Sequence, residues 1–257
     1  MSMRGSKARD WDAATYHRVS GPQARWALEV LDRLPLKGDE TVLDAGCGSG
    51  RVTKMLEERL PDGHVIAVDA SPSMVEKARA ELRADAEVFV SDLTELDLHD
   101  AADAALSNAV FHWIPDHDAL FARLYDALKP GGRLVAQCGG SGNIERFHNR
   151  MKEVAAEPPF HEYIGDWAGP WNYAGPSETA ARLDAAGFAD AECWLQEWPV
   201  EPDEPEEFIR TVCLGHHLER LPEGLRPQFV ERVYERVDKP LVLDYVRLNI
   251  DARKPAQ

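Results

Sequence analysis

An apolar run followed at once by three alternating glycines, Thr41-Val42-Leu43-Asp44-Ala45-Gly46-Cys47-Gly48-Ser49-Gly50, constrains this chain more than any other stretch. Residues 41–43 have the β-branched and aliphatic character of a buried strand, and residues 51–60 return to helical spacing through Val52, Met55, Leu56 and Leu60. Strand, tight turn and helix are expected in that order. Glycine suits such a turn because it takes positive φ and, lacking Cβ, lets a ligand lie against the backbone. Unpaired N–H groups at the start of the helix would favour a carboxylate or phosphate there, while the Asp44 carboxylate would favour a cation. Taken by itself, the same pattern also describes an ordinary strand-to-helix turn.

The next segments narrow the choice. About twenty residues on, His64-Val65-Ile66-Ala67-Val68-Asp69 reads as a second strand ending in an acid, the spacing at which a carboxylate meets a ribose diol. A third strand, residues 86–90, runs into Ser91-Asp92-Leu93. Strands and helices alternate through 41–44, 51–60, 65–69, 72–83, 86–90, 103–107, 117–128 and 133–138, which predicts a parallel, doubly wound sheet with right-handed crossovers. Ligands bind such sheets in the crevice outside the carboxyl ends of the strands.

Asp44-Ala45-Gly46-Cys47-Gly48-Ser49-Gly50, Asp69, Ser91-Asp92 and Leu128-Lys129-Pro130-Gly131-Gly132-Arg133-Leu134 resemble, in order, the motifs of class I S-adenosylmethionine-dependent methyltransferases. The resemblance covers residues 16–137. It implies an α/β fold: a doubly wound, seven-stranded Rossmann-like sheet, mostly parallel, with an antiparallel edge hairpin and a helical cap. It also implies S-adenosyl-L-methionine as cofactor, its methionyl part held by Asp44, Ala45, Gly46, Cys47, Gly48 and Gly50. The ribose hydroxyls would fall to Asp69, with Ala70 beside it, and the adenine to Ser91, Asp92 and Leu93. Asn108 at the end of the fourth strand, and Tyr16 and Gln23 on an N-terminal arm, complete the expected cofactor contacts. More narrowly, Ser107-Asn108-Ala109-Val110-Phe111-His112-Trp113-Ile114-Pro115-Asp116-His117 is similar to the segment after the fourth strand in trans-aconitate methyltransferase-like enzymes.

A chain of 257 residues can bury a substantial core. The expected division is a helical arm over 1–40, a cofactor-binding core over 41–138, cap insertions over 139–180 and 200–240, and a return to the sheet over 181–199 and 241–257. Residues 11–34 read as helical with a break near Gly21-Pro22, 206–220 and 226–237 as two helices, and 189–198 and 242–252 as strands. The net charge of −16 repels phosphate backbones and anionic membranes, which argues against nucleic acid or lipid partners. Cys47, Cys138, Cys193 and Cys213 form no C-x-x-C pair, so neither a zinc site nor a redox motif is expected. There is no apolar leader and no run of about 20 apolar residues; a cytoplasmic monomer or homodimer is expected.

Methyl transfer from a sulfonium needs alignment and exclusion of water rather than a nucleophilic side chain. A carboxylate acceptor is already ionised near neutral pH and would need cations or donors, whereas a hydroxyl acceptor would need a base. His112, just past the fourth strand, is the candidate catalytic residue, as a base or in orienting the acceptor. Trp113, Gln137, Arg146, Arg150, Trp171 and Tyr173 are candidates for the acceptor pocket; Arg146, His148 and Arg150 form a small basic cluster, the two arginines sharing a helix face as an anion site. His216-His217 lacks partners at ligand spacing, so no metal is assigned. The expected function is methyl transfer to a small molecule, with a carboxylate acceptor, as in trans-aconitate ester formation, the first choice. O-, N- or C-methylation of a secondary metabolite, or cofactor binding without turnover, are the alternatives. A nicotinamide oxidoreductase is disfavoured because Arg51 stands where G-x-G-x-x-G needs its last glycine.

Overall fold

The computed structural model describes residues 21–256, with the side chains of 21–25 left aside. Tyr16 and the Gln23 side chain, both expected at the cofactor, lie outside the described residues. The first described helix, α1 (Gly21–Arg33), carries Trp26, Ala27, Val30 and Leu31 on one buried face. From its last turn Arg33 donates to the Ala136 carbonyl at 2.8 Å and pairs with Asp251 at 3.5 Å, pinning the helix to the sheet.

Seven strands then form one sheet: β1 (Thr41–Ala45), β2 (His64–Asp69), β3 (Glu87–Val90), β4 (Ala102–Asn108), β5 (Leu128–Gly139), β6 (Ala189–Val200) and β7 (Leu243–Arg253). Their order is β3-β2-β1-β4-β5-β7-β6, with β7 antiparallel to both neighbours and the rest parallel. The expected doubly wound sheet with an antiparallel edge hairpin is what forms. The order reverses between β1 and β4, so the crevice opens at their carboxyl ends.

The crossover helices are α2 (Arg51–Glu57), α3 (Pro72–Glu81) and α4 (His117–Ala127). Ser71 caps α3 by accepting from the Met74 N–H, with Pro72 at the first turn, and Asp116 caps α4 by accepting from the Ala119 N–H at 2.9 Å. One core layer joins α1, α2 and α3 to the sheet through Val30, Leu31, Leu56 and Ala78. The opposite layer joins α4 and α7 (Pro176–Ala186) through Leu120, Phe121, Leu124 and Leu183.

A third cluster gathers α5 (Glu145–Ala155), α6 (His161–Ile164), α8 (Pro205–Phe208), α9 (Gly215–Arg220) and α10 (Arg226–Arg236) around Phe147, Phe160, Phe208 and Phe229. Trp26 and Tyr245 tie this cluster to α1 and β7. The helix expected over 206–220 is instead divided: a π turn, Ile209–Cys213, separates α8 from α9, with Leu214 N–H donating to the Ile209 carbonyl. Widening the turn puts Ile209, Cys213, Leu214 and His217 all in the interior. No helix among the described residues is long and apolar enough to cross a membrane.

Candidate active site

The strand ends of β1, β2 and β4 meet around the glycine turn. Gly46 and Gly48 both take positive φ, +91° and +53°. At Gly46 an added Cβ would lie 2.3 Å from Val110 Cγ2, so that glycine is demanded by the approach of the post-β4 loop. At Gly48 nothing stands within 4 Å of the same position, leaving the loop's outer face open to a ligand.

Four of the loop amides are engaged within the protein. Gly46 and Cys47 donate to the Val68 carbonyl at 2.8 and 2.9 Å, Gly50 donates to the Cys47 carbonyl at 3.0 Å, and Gly48 donates to Asp69 Oδ2 at 2.9 Å. Asp69 Oδ1 accepts from Ser71 N–H at 2.8 Å. The carboxylate at the end of β2 therefore fastens the glycine loop to the start of α3, and each oxygen keeps acceptor capacity for a further donor. Burial pushes the Asp69 carboxyl above its ordinary range, against the two backbone donors.

Asp44 is 2% exposed and accepts from Thr53 Oγ1 at 2.7 Å. Burial raises its pKa to about 6, the Thr53 bond opposing and the Asp69 charge adding to the shift. An acid whose folded pKa lies above its unfolded value contributes stability at low pH and loses it as pH rises. Between pH 3.8 and about 6 the ligand-free protein should lose stability from this group, on the order of 3 kcal/mol. Asp44→Asn should flatten that part of a thermal-unfolding profile run from pH 4 to pH 7. An unchanged profile would show that Asp44 ionises as freely as in solution.

Cys47 is buried, and desolvation with the Asp44 and Asp69 charges drives its thiol pKa up, so it packs as a small neutral side chain. Ala70 and Asp92 are exposed, Ser91 is half-buried and Leu93 buried. Asp92 caps the turn Leu93–Glu95 by accepting from Thr94 N–H at 2.9 Å. Asn108 ends β4 with its Oδ1 buried and without a hydrogen-bond donor, before the chain turns through Ala109 at φ +62°.

Beyond β4 lies a ring-lined region. His112 is buried, and the Gly139 N–H donates to its Nδ1 at 3.2 Å. Because that nitrogen accepts, the proton of the neutral ring sits on Nε2. Burial, with Arg247 and His117 adding, holds the imidazole well below its usual pKa and thus neutral. Trp113 lies 4.8 Å from His112 and 6.2 Å from Trp171, while Tyr173 stacks over His112 at 5.9 Å. Asn172 straps this segment down, its N–H donating to the His112 carbonyl at 2.8 Å.

Three expected acceptor contacts are placed elsewhere. Gln137 is fully buried, its Nε2 donating to Asn249 Oδ1 at 2.8 Å and its Oε1 accepting from Arg247 Nε at 3.3 Å. Both ends of its amide are spent in the sheet, so it positions Arg247 instead of meeting a ligand. Arg146 and Arg150 do share a face of α5, but that face is exposed, and they pair with Asp244 at 3.3 Å and Glu153 at 2.9 Å. The buried face of the same helix carries Phe147, His148 and Met151. Sequence reasoning grouped His148 with the two arginines without separating it from their exposed face, and missed Arg247, which is 2% exposed and lies 4.3 Å over the Trp26 ring. The helical spacing of Phe147, Met151 and Val154 was a signal that His148 turns inward.

Residues 42–132 match the family described as a methyltransferase domain. The chain is 37% identical over 234 residues to a trans-aconitate 2-methyltransferase of Methylobacterium radiotolerans, covering 89% of each chain. It is 38% identical to the trans-aconitate 2-methyltransferase of Paracidovorax citrulli, over 96% of this chain and 99% of that one. Among solved structures, the YcgJ protein of Bacillus subtilis aligns with a TM-score of 0.64 at 14% identity, over 90% of this chain and 99% of its own, a likeness of fold.

Proposed function

Because this chain belongs to the class I S-adenosylmethionine-dependent methyltransferases, we propose that it transfers the methyl group to a carboxylate oxygen of a small polycarboxylic acid, trans-aconitate being the first candidate. The observation that carries this reading is His112. Its Nδ1 is taken by the Gly139 N–H and its Nε2 bears the proton, so the neutral ring offers a donor and no free basic nitrogen. Such a site suits an acceptor that arrives already deprotonated, and a carboxylate does. The names carried by relatives at 37% and 38% identity over most of the chain support the same class.

S-adenosylmethionine, when bound, would supply a methyl group on a positively charged sulfur, which is a good leaving group because it departs as a neutral thioether. The open face at Gly48 fits it, and Asp69, holding the loop through Gly48 N–H, has acceptor capacity left for ribose hydroxyls. Asp44 places a carboxyl beneath the glycine turn, and Asp92 an exposed one past β3. His112 orients the acceptor through Nε2–H, Arg247 adds positive charge beside it, and Trp113, Trp171 and Tyr173 keep water away.

Incubation with labelled cofactor and a panel of small carboxylic acids, phenols and amines tests the reading. An ester on a di- or tricarboxylate supports it, and transfer only to phenols or amines sinks it. Asp69→Ala should weaken cofactor binding by about 1.5–3 kcal/mol, since it removes a charge-assisted bond and leaves the Gly48 and Ser71 amides without their acceptor. Calorimetric titration with S-adenosylhomocysteine reads this directly; an unchanged affinity would remove Asp69 from the site.

A further inference from the structure

Among the described residues, Nε2 of His148 and both ring nitrogens of His217 are buried without a hydrogen-bond partner and have no part in the roles above. The two residues are 7% and 0% exposed. Buried polar atoms are ordinarily satisfied, and a histidine kept only for packing would be better replaced by an apolar ring. No group of histidine, cysteine and acidic side chains among the described residues is arranged to hold a metal, so metal ligation does not account for them.

Their surroundings are basic. Lys152 bears on His148 from the same helix, and His148, with His216 and Arg220 of α9, bears on His217. Glu219 lies 3.8 Å from His216 Nδ1. In a chain of net charge −16, such surroundings favour an anion. It is also joined to the methyl-transfer region: Trp171 stacks on His148 at 4.4 Å, and Tyr173 lies 5.9 Å from Trp171 and 5.9 Å from His112. Trp167 and Trp171, on the stretch 165–175, close over His217 at 4.7 and 5.7 Å.

We propose that His148 and His217 form the subsite for a second, non-reacting carboxylate of the acceptor, reached when the 165–175 strap lifts its two tryptophans, while His112 stands at the reacting carboxylate. This rests on the polycarboxylic acid reading above. A neutral imidazole donates one N–H to a carboxylate oxygen, so two rings bind both oxygens of one group. It also gives the enzyme a means of telling a polycarboxylate from a monocarboxylate, because an acceptor without the second group leaves both rings unsatisfied.

Calorimetry on the protein saturated with S-adenosylhomocysteine tests this, with trans-aconitate and the monocarboxylate crotonate as probes, on wild type, His148→Phe, His217→Phe and His148→Gln. Each phenylalanine variant should bind trans-aconitate about tenfold more weakly. Crotonate and S-adenosylhomocysteine affinities should not change, the latter confirming that each variant is folded, and His148→Gln, which keeps a donor, should recover part of the loss. Wild-type trans-aconitate affinity in both phenylalanine variants overturns the subsite. Esterification of trans-aconitate with KM unmoved in those variants overturns it while leaving the reaction intact. Binding that depends on the histidines without esterification sinks the proposed reaction and keeps the subsite, and no binding of trans-aconitate by wild type sinks both.

Discussion

Gly48→Val is expected to abolish cofactor binding in a protein that still folds. The site of the added side chain is open, with no atom within 4 Å of its Cβ, so the native packing has nothing to resist it. The backbone there, at φ +53°, costs a valine about 1–2 kcal/mol, which a domain of this size can absorb. The isopropyl group would project into the open space above the turn, where the proposed reading puts the methionyl part. A loss of at least about 100-fold in affinity for S-adenosylhomocysteine, ~2.7 kcal/mol, should appear in a calorimetric titration. Thermal unfolding of the same sample would show a cooperative transition. Wild-type affinity in a folded Gly48→Val protein would place the cofactor elsewhere.

Two residues away the outcome should be the reverse, a loss of stability. Gly46→Ala places a methyl 2.3 and 2.6 Å from the two Val110 methyls at φ +91°, so overlap and backbone strain act together. Overpacking costs about 1–3 kcal/mol and the left-handed backbone about 1–2 kcal/mol, giving a destabilisation on the order of 3 kcal/mol in urea unfolding. Adding Val110→Ala should relieve the overlap and not the strain, returning part of the loss. Equal stability of Gly46→Ala and wild type would mean that the turn and the loop after β4 do not touch. The two substitutions thus separate a glycine held by the protein's own packing from one whose Cβ position is open.

Much of the fold was legible because its signals are local. Residues 41–69 carry strand, glycine turn, helix and strand in one continuous run, and the cap formed by Ser71 and Pro72 lies within three residues of the strand it follows. The antiparallel β6 and β7 were visible as strands, but β7 is an inner strand, so Arg247, Leu248, Asn249 and Ile250 are all buried and the alternation seen along 242–252 stops midway. The division of 206–220 by a π turn had no local signal, because the widened turn follows from packing Ile209, Cys213 and His217 into one cluster.

The acceptor side was read less well for the same reason. Arg146 and Arg150 attracted attention as a charged pair, yet hydrophobic burial turned Phe147 and Met151 inward and took His148 with them, leaving the arginines in solvent. Gln137 was read as ending its strand, but β5 runs on to Gly139, and only the pairing with β7 shows its amide bonded to Arg247 and Asn249.

From its sequence alone this chain committed to a glycine turn after β1, an acid at the end of β2 and the alternation that winds the sheet, because spacing along one segment sets each of them. Tertiary structure alone decided which glycine lies open and which faces Val110, which nitrogen of His112 bears the proton, and that His148, His217 and Arg247 come inside. Those outcomes depend on atoms brought together from strands and helices 110 residues apart or more, such as Gln137 and Arg247, where burial and hydrogen-bond partners are settled only by the packed fold.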